Sequence, residues 1–185
     1  SDMHLGSYGG DLSIVRRGVD LIMEEKPDLI LFTGDLVNDF AEEAEPFIAE
    51  LSRLQAPLGK FSILGNHDYS DYPKWDSPEL KAANLEKLKR IHAQMGFRLL
   101  LDEHLALERN GARIGLLGVQ NWGHRFQQYG DLAKTKQGSE AYPFRILMSH
   151  DPTHWEHQVL GTGIDLTLSG HTHGAQLGVK LGGST

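Results

Sequence analysis

The 185-residue chain contains no cysteine. Disulfide cross-links and thiolate metal ligands are therefore excluded, and cysteine usage says nothing about the redox compartment. No apolar run reaches the ~18 residues of a membrane span, and no signal peptide is visible. A basic stripe is also missing: the net charge is −7, with acidic and basic residues mixed along the chain. A dedicated nucleic-acid binder is not indicated. The acidity does not count against a phosphorylated substrate, because bound divalent ions would reverse the local field. There is no internal repeat and no low-complexity tract. At 39% hydrophobic, the chain has the length and composition of one domain with a proper core.

What is present is a series of metal-binding side chains set beside glycine or at the ends of apolar runs. The segments are Asp2-Met3-His4, Gly34-Asp35, Gly65-Asn66-His67-Asp68, Ser149-His150 and Gly170-His171-Thr172-His173. Five of the ten histidines fall in them. Strand ends on one edge of a sheet converge, so these scattered residues can meet in one site. His171 and His173 lie on the same side of an extended segment, the period-2 geometry of a strand. Carboxylate, imidazole and one amide suit hard to intermediate divalent ions such as Mn, Fe, Zn or Co. Taken singly each motif is weak; together they read as a two-metal hydrolytic centre.

Local patterning supplies the scaffold. Leu12, Val15, Val19, Ile22 and Met23 follow helical spacing, closed by Pro27. Leu29–Phe32 and Phe61–Leu64 are continuous apolar runs, as in strands buried on both faces. A helix is expected over 39–55, with Asp39 as N-cap and Glu42 three positions on. Another is expected over 79–95, stopped by Gly96. Leu99–Leu101, Leu105–Leu107 and Ile114–Val119 read as strands, the last two joined by a hairpin at Asn110-Gly111. Residues 144–149 and 164–169 are two more strands, and a helix carrying Trp155 follows Asp151-Pro152. His92, His104, His154 and His157 read as surface residues. The whole is α/β: two packed mixed β-sheets, a β-sandwich flanked by α-helices, with the metal site at strand ends.

The motif series resembles the calcineurin-like metallophosphoesterase superfamily, over nearly the whole chain. The resemblance implies a β-sandwich fold, two divalent ions and hydrolysis of a phosphoester. Carried over residue by residue, Asp2, His4, Asp35 and His173 would hold one ion. Asp35, Asn66, His150 and His171 would hold the other, with Asp35 bridging through its two oxygens. A water or hydroxide between the ions would be the nucleophile. His67 would be a non-ligand that serves the leaving group or the phosphoryl oxygens. Asp68 would either orient His67 through the other ring nitrogen or be a turn residue.

The sequence after Gly-His-Thr-His, Gly174-Ala175-Gln176, looks like a subgroup whose members often carry an upstream membrane anchor or export signal. A membrane-associated parent protein is thus one expectation. Another is that residues 1–185 form a single metallophosphoesterase domain lacking its first strand and its C-terminal strands. In that case the Asp2/His4 half-site would be the looser one. Two aromatic-rich stretches, Tyr69, Tyr72 and Trp75, then Trp122, Phe126 and Tyr129, should overhang the metal edge. They either bind the non-reacting part of a substrate or pack on each other. Tyr69, Trp122, His124 and Arg125 are the candidate substrate contacts, Arg125 for a phosphate. The expected substrate is a phosphodiester or pyrophosphate of a small molecule, nucleotide or lipid precursor. A nuclease of the same chemistry and a non-catalytic protein-binding member of the fold are the alternatives.

Overall fold

The computed structural model describes residues 1–125 and 127–173. Phe126 and the Gly174-Ala175-Gln176 continuation lie outside the described residues. Among the described residues, seven strands form two sheets. In the first, β1 (Ile30–Phe32), β2 (Lys60–Ser62) and β3 (Arg98–Leu99) run parallel in that order. The second is mixed. β4 (Glu103–Arg109) pairs antiparallel with β5 (Ala112–Gly118), and β6 (Arg145–Met148) and β7 (Leu166–Leu168) continue in parallel. Asn110 and Gly111 close the β4–β5 hairpin with φ of 52° and 80°, the left-handed pair that a tight two-residue turn requires.

The sheets meet through Phe61, Ile63, Leu100, Leu107, Leu116 and Met148. Gly118 is needed there, since a Cβ at that position would collide with Leu100. Helices α1 (Leu12–Glu24), α2 (Ile48–Ser52) and α3 (Pro78–Gln94) cover the first sheet through a second cluster that includes Val15, Val19, Leu51, Leu88 and Ile91. On the second sheet, Leu117 and Leu147 pack with Leu132 of α4 (Leu132–Lys136) and with Val159. Capping follows the local chemistry. Asp11 accepts from the Ser13 N–H at the start of α1, Ser77 caps α3 with Pro78 behind it, and Gly96 takes φ 80° just past its end.

The expected helix over 39–55 is split. Residues Ala41–Phe47 form a 3-10 segment containing Pro46, and only Ile48–Ser52 is α-helical. Proline has no N–H to give to the preceding turn, so an uninterrupted α-helix cannot pass through it. The cap is also different: Glu43, not Asp39 with Glu42, gathers the N–H groups of Asn38, Asp39 and Phe40. The segment expected to be a helix after Asp151-Pro152 includes a π-helical turn, Trp155–Val159.

Three histidines are not on the surface as expected. His92 is fully buried, with Nδ1 3.0 Å from the Ser62 hydroxyl. His154 is fully buried against the Ser149 hydroxyl at 2.8 Å. His104 is half-buried and donates from Nδ1 to the Thr135 carbonyl. In each case a serine hydroxyl or a backbone carbonyl engages one ring nitrogen inside the fold, a partner that spacing alone does not reveal, and His92 Nε2 is buried without a hydrogen bond among the described residues.

Candidate metal centre

Parallel pairing points the C-terminal ends of β1 and β2 the same way, and likewise those of β6 and β7. From these ends the chain delivers Asp35, Asn66 and His67, His150, and His171 with His173. The N-terminal segment joins them through backbone hydrogen bonds. The N–H groups of Asp2, His4 and Leu5 donate to the carbonyls of Gly34, Asp35 and Leu36. Leu5 is fully buried, which anchors the segment further. Two glycines allow the loops to touch. A Cβ on Gly34 would lie 2.5 Å from the Gly65 nitrogen and 2.9 Å from His150 Nδ1; one on Gly65 would lie 2.7 Å from His150 Cε1. Neither position has room for a side chain.

The ligand candidates form two nests that share Asp35. In one, His150 Nε2 is 3.1 Å from Asp35 Oδ2 and 3.1 Å from Asn66 Oδ1, and His171 Nδ1 is 2.9 Å from that same amide oxygen. In the other, His4 Nε2 is 3.2 Å from His173 Nε2 and 3.6 Å from Asp35 Oδ2, while His173 Nε2 is 3.5 Å from Asp2 Oδ1. Ligand atoms ~2.1 Å from a common cation stand roughly 3.0–3.4 Å apart, from octahedral to tetrahedral geometry. The observed separations bracket that range.

Hydrogen bonding bears on how well these groups would fit a cation. His150 Nδ1 donates to the Thr33 carbonyl at 2.7 Å, so in the neutral ring Nε2 carries a lone pair. That lone pair faces two oxygens which are themselves acceptors. Asp35 Oδ2 is buried and accepts no well-aligned hydrogen bond. A single proton cannot satisfy so many acceptors, and a divalent ion can. The donor set of imidazoles, carboxylates and one amide oxygen therefore fits divalent metal. Asp35 Oδ1 accepts the His67 N–H at 2.9 Å, and Oδ2 faces His4 and His150, one from each nest.

Charge and strain agree with this assignment. Burial pulls the pKa of His4 and of His171 down, keeping both rings in the neutral, ligating form. Burial opposes the charge on both Asp35 and His150, but their mutual contact outweighs it, lowering the carboxylate pKa and raising that of the imidazole; a divalent ion at this position would take the place of the proton they share. Asp2, His4, Asp35, His171 and His173 all have φ between 45° and 70°, so the Gly170–His173 segment turns beyond β7 instead of continuing as the extended segment expected from its spacing. Left-handed backbone at non-glycine residues costs roughly 1–3 kcal/mol and persists where surrounding contacts over-determine it, often at functional sites.

His67 donates from Nδ1 to the Asn38 carbonyl at 2.7 Å, which leaves Nε2 for the site. Its ring stands edge-on to His4, with centroids 4.7 Å apart. The expectation that Asp68 orients this ring is corrected. Asp68 is fully buried, and its two oxygens accept the backbone N–H groups of Asp35, Leu36, Val37 and Gly65 at 2.8–3.4 Å. The carboxylate ties the β1 and β2 loops together, and a backbone carbonyl orients the imidazole instead. Sequence could not expose that carbonyl, since any residue type supplies one.

The expected substrate contacts divide. Tyr69 is buried, hydrogen-bonded to Gln120 and stacked on Tyr129 at 3.8 Å. Trp122 is buried against His154 at 4.8 Å. Both expectations are corrected: these rings serve packing. His124 is exposed and stacks on His157 at 4.0 Å. Arg125 lines a cleft of about 430 Å³ with Asn66, Asp71, Tyr72 and Gln127. A second cleft of about 400 Å³ opens over His4, His67 and His173. Sequence reading placed Tyr72 in the aromatic stretch without singling it out; the structure brings its hydroxyl to 2.6 Å from Asn66 Nδ2.

Comparison with known proteins gives a consistent picture. The family model described as calcineurin-like phosphoesterase matches residues 1–175. An uncharacterized metallophosphoesterase of Aquifex aeolicus is 31% identical, over 96% of this chain and 62% of its own length. The metallophosphoesterase YkuE of Bacillus subtilis is 30% identical, over 96% of this chain and 57% of its own. A Danio rerio protein named as a transmembrane protein with metallophosphoesterase domain is 32% identical, over 96% and 40%. The chain thus spans 40% to 62% of the length of these relatives. The Haemophilus influenzae NAD nucleotidase structure superposes with a TM-score of 0.55 at 16% identity, covering 89% of this chain and 37% of that one. That likeness concerns the fold.

Proposed function

The chain belongs to the calcineurin-like phosphoesterase family, and on that premise we propose that it is a phosphoester hydrolase working with two divalent ions held around Asp35. One observation carries the reading: Asp35 Oδ2 lies 3.6 Å from His4 Nε2 and 3.1 Å from His150 Nε2, so two acceptor-rich nests meet at a single buried oxygen. Asp2, His4 and His173 complete one nest; Asn66, His150 and His171 complete the other. When bound, such ions supply a water of lowered pKa and stabilise charge on the phosphoryl oxygens. The residues do the remaining work. Thr33 and Asn38 fix the rings of His150 and His67 through their carbonyls, and Asp68 holds the two loops in register. His67, with Nδ1 occupied, presents Nε2 to the leaving group; in its protonated form that nitrogen gives a proton to the departing alkoxide or a hydrogen bond to a phosphoryl oxygen.

The proposed substrate is a phosphodiester or pyrophosphate of a small molecule, nucleotide or lipid precursor. Mixed nitrogen and oxygen ligation accepts Mn, Fe, Zn or Co. Membrane association belongs to the proposal for the longer protein only, suggested by the name of the Danio rerio relative. Within the described residues no helix is long and apolar enough to cross a membrane. The test is elemental analysis with a hydrolysis panel. Protein loaded with Mn should approach two ions per chain and cleave nitrophenyl phosphate mono- or diesters, and Asp35→Asn should lose both properties. Saturation at one ion, with Asp35→Asn harmless, sinks the two-ion reading.

A further inference from the structure

The cleft beside Asn66 contains groups that the reading above leaves without a task. Asn66 directs its two amide ends differently: Oδ1 faces His150 and His171, while Nδ2 donates to the Tyr72 hydroxyl at 2.6 Å. The Tyr72 oxygen is thereby an acceptor toward Asn66. Its own hydrogen points elsewhere, and Tyr72 lines the cleft. Arg125 and Gln127 line it as well, adding guanidinium and amide donors.

One carboxylate, Asp71, lies on the same wall, and it is already engaged. It pairs with Lys81, and its two oxygens accept from the Tyr129 hydroxyl at 3.0 and 2.8 Å. The Arg125 charge is left unopposed by it. Tyr72 also touches both sides of the chemistry, because its ring lies 4.8 Å from that of His67.

From this arrangement we infer that Tyr72 and Arg125 form a subsite for a second phosphoryl group, adjoining the nest of Asn66, His150 and His171. The substrate class it selects is a phosphoanhydride, with the reacting phosphorus at Asp35 and its neighbour in the cleft. A guanidinium matches the paired oxygens of a phosphoryl group, and the tyrosine hydroxyl adds a single neutral donor. A simple monoester would leave both groups unused. Tyr72 has a second consequence: by holding Asn66 Nδ2 it keeps the amide from turning its NH2 toward the ions. The inference rests on the two-ion reading.

Binding measurements test it without turnover. Protein kept in excess Mn is titrated calorimetrically with orthophosphate and with methylenediphosphonate, whose P–C–P link is not hydrolysed. The wild type should prefer methylenediphosphonate by at least about tenfold, a difference one charge-assisted contact can supply. Arg125→Ala should bring that ratio close to one, and Arg125→Lys should restore part of it, since a point charge remains without the planar fork. Tyr72→Phe should lower the ratio by roughly threefold, the scale of one neutral hydrogen bond. A ratio unmoved by Arg125→Ala, or a wild type that takes up ions and binds orthophosphate without any preference, overturns the subsite alone. A protein that takes up no ions overturns the two-ion reading, and the subsite with it.

Discussion

Replacing Asp68 by asparagine separates the role the structure gives this residue from the one its position beside His67 suggests. Asparagine has the same shape but offers one oxygen and one NH2 where aspartate offers two acceptors. With its oxygen kept toward Leu36 and Val37, its NH2 faces the N–H groups of Asp35 and Gly65, which lose an acceptor at 2.9 Å each. Hydrogen bonds to a charged group are worth about 1.5–3 kcal/mol each, so the gross loss is about 3–6 kcal/mol. Burial and the nearby Asp35 push the Asp68 pKa up to about 7, so removing its charge returns part of this, and above that pH a net loss of about 2–4 kcal/mol remains. For a chain of this length that is a fall in Tm of roughly 4–16 °C. The same two loops carry Asp35 and Asn66, so metal affinity should fall with stability. Thermal unfolding and Mn titration of Asp68→Asn read both quantities. A variant with normal Tm and normal Mn affinity, impaired only in kcat, would refute the reasoning and restore Asp68 as the group that orients His67.

His67→Ala should keep its ions, because none of the closest contacts in either nest uses this ring, and lose about 10²–10⁴-fold in turnover. The loss should shrink on nitrophenyl esters, whose leaving group departs without a proton, and loss of metal from the variant would make His67 a ligand. His92 makes the fold acid-sensitive. Burial pulls its pKa from 6.5 down to about 4, so between those values the unfolded chain binds a proton that the folded chain refuses. Its contribution to stability is complete above pH 6.5 and is lost as pH falls toward 4, about 3 kcal/mol in all. Denaturant unfolding of the wild type and of His92→Gln from pH 7 to pH 4 should show a shallower decline in the variant; parallel curves would remove His92 as the cause.

Much of this protein is written locally. Apolar runs at 29–32 and 61–64, the helical periodicity from Leu12 to Met23, Gly96 after a helix and Asn110-Gly111 between strands each specify their element through short-range sterics and burial. That the imidazoles and carboxylates would gather in one place was legible for a related reason: such groups beside glycines at strand ends are a costly combination with few structural uses. What adjacency in sequence could not decide was partnership in space. Asp68 follows His67 directly, yet its oxygens reach backbone N–H groups some thirty residues away, because those buried donors had no other acceptor. Tyr69 and Trp122 looked like substrate contacts until packing closed over them, and Tyr72, three positions beyond Tyr69, kept its hydroxyl at the cleft. His92 and His154 read as surface residues by pattern, but serine hydroxyls made their burial tolerable. The sequence by itself determined which chemical groups this chain carries and which short segments present them. Only the tertiary structure decided which of those groups face one another, since that depends on loops from two sheets meeting across glycines with no room for a side chain.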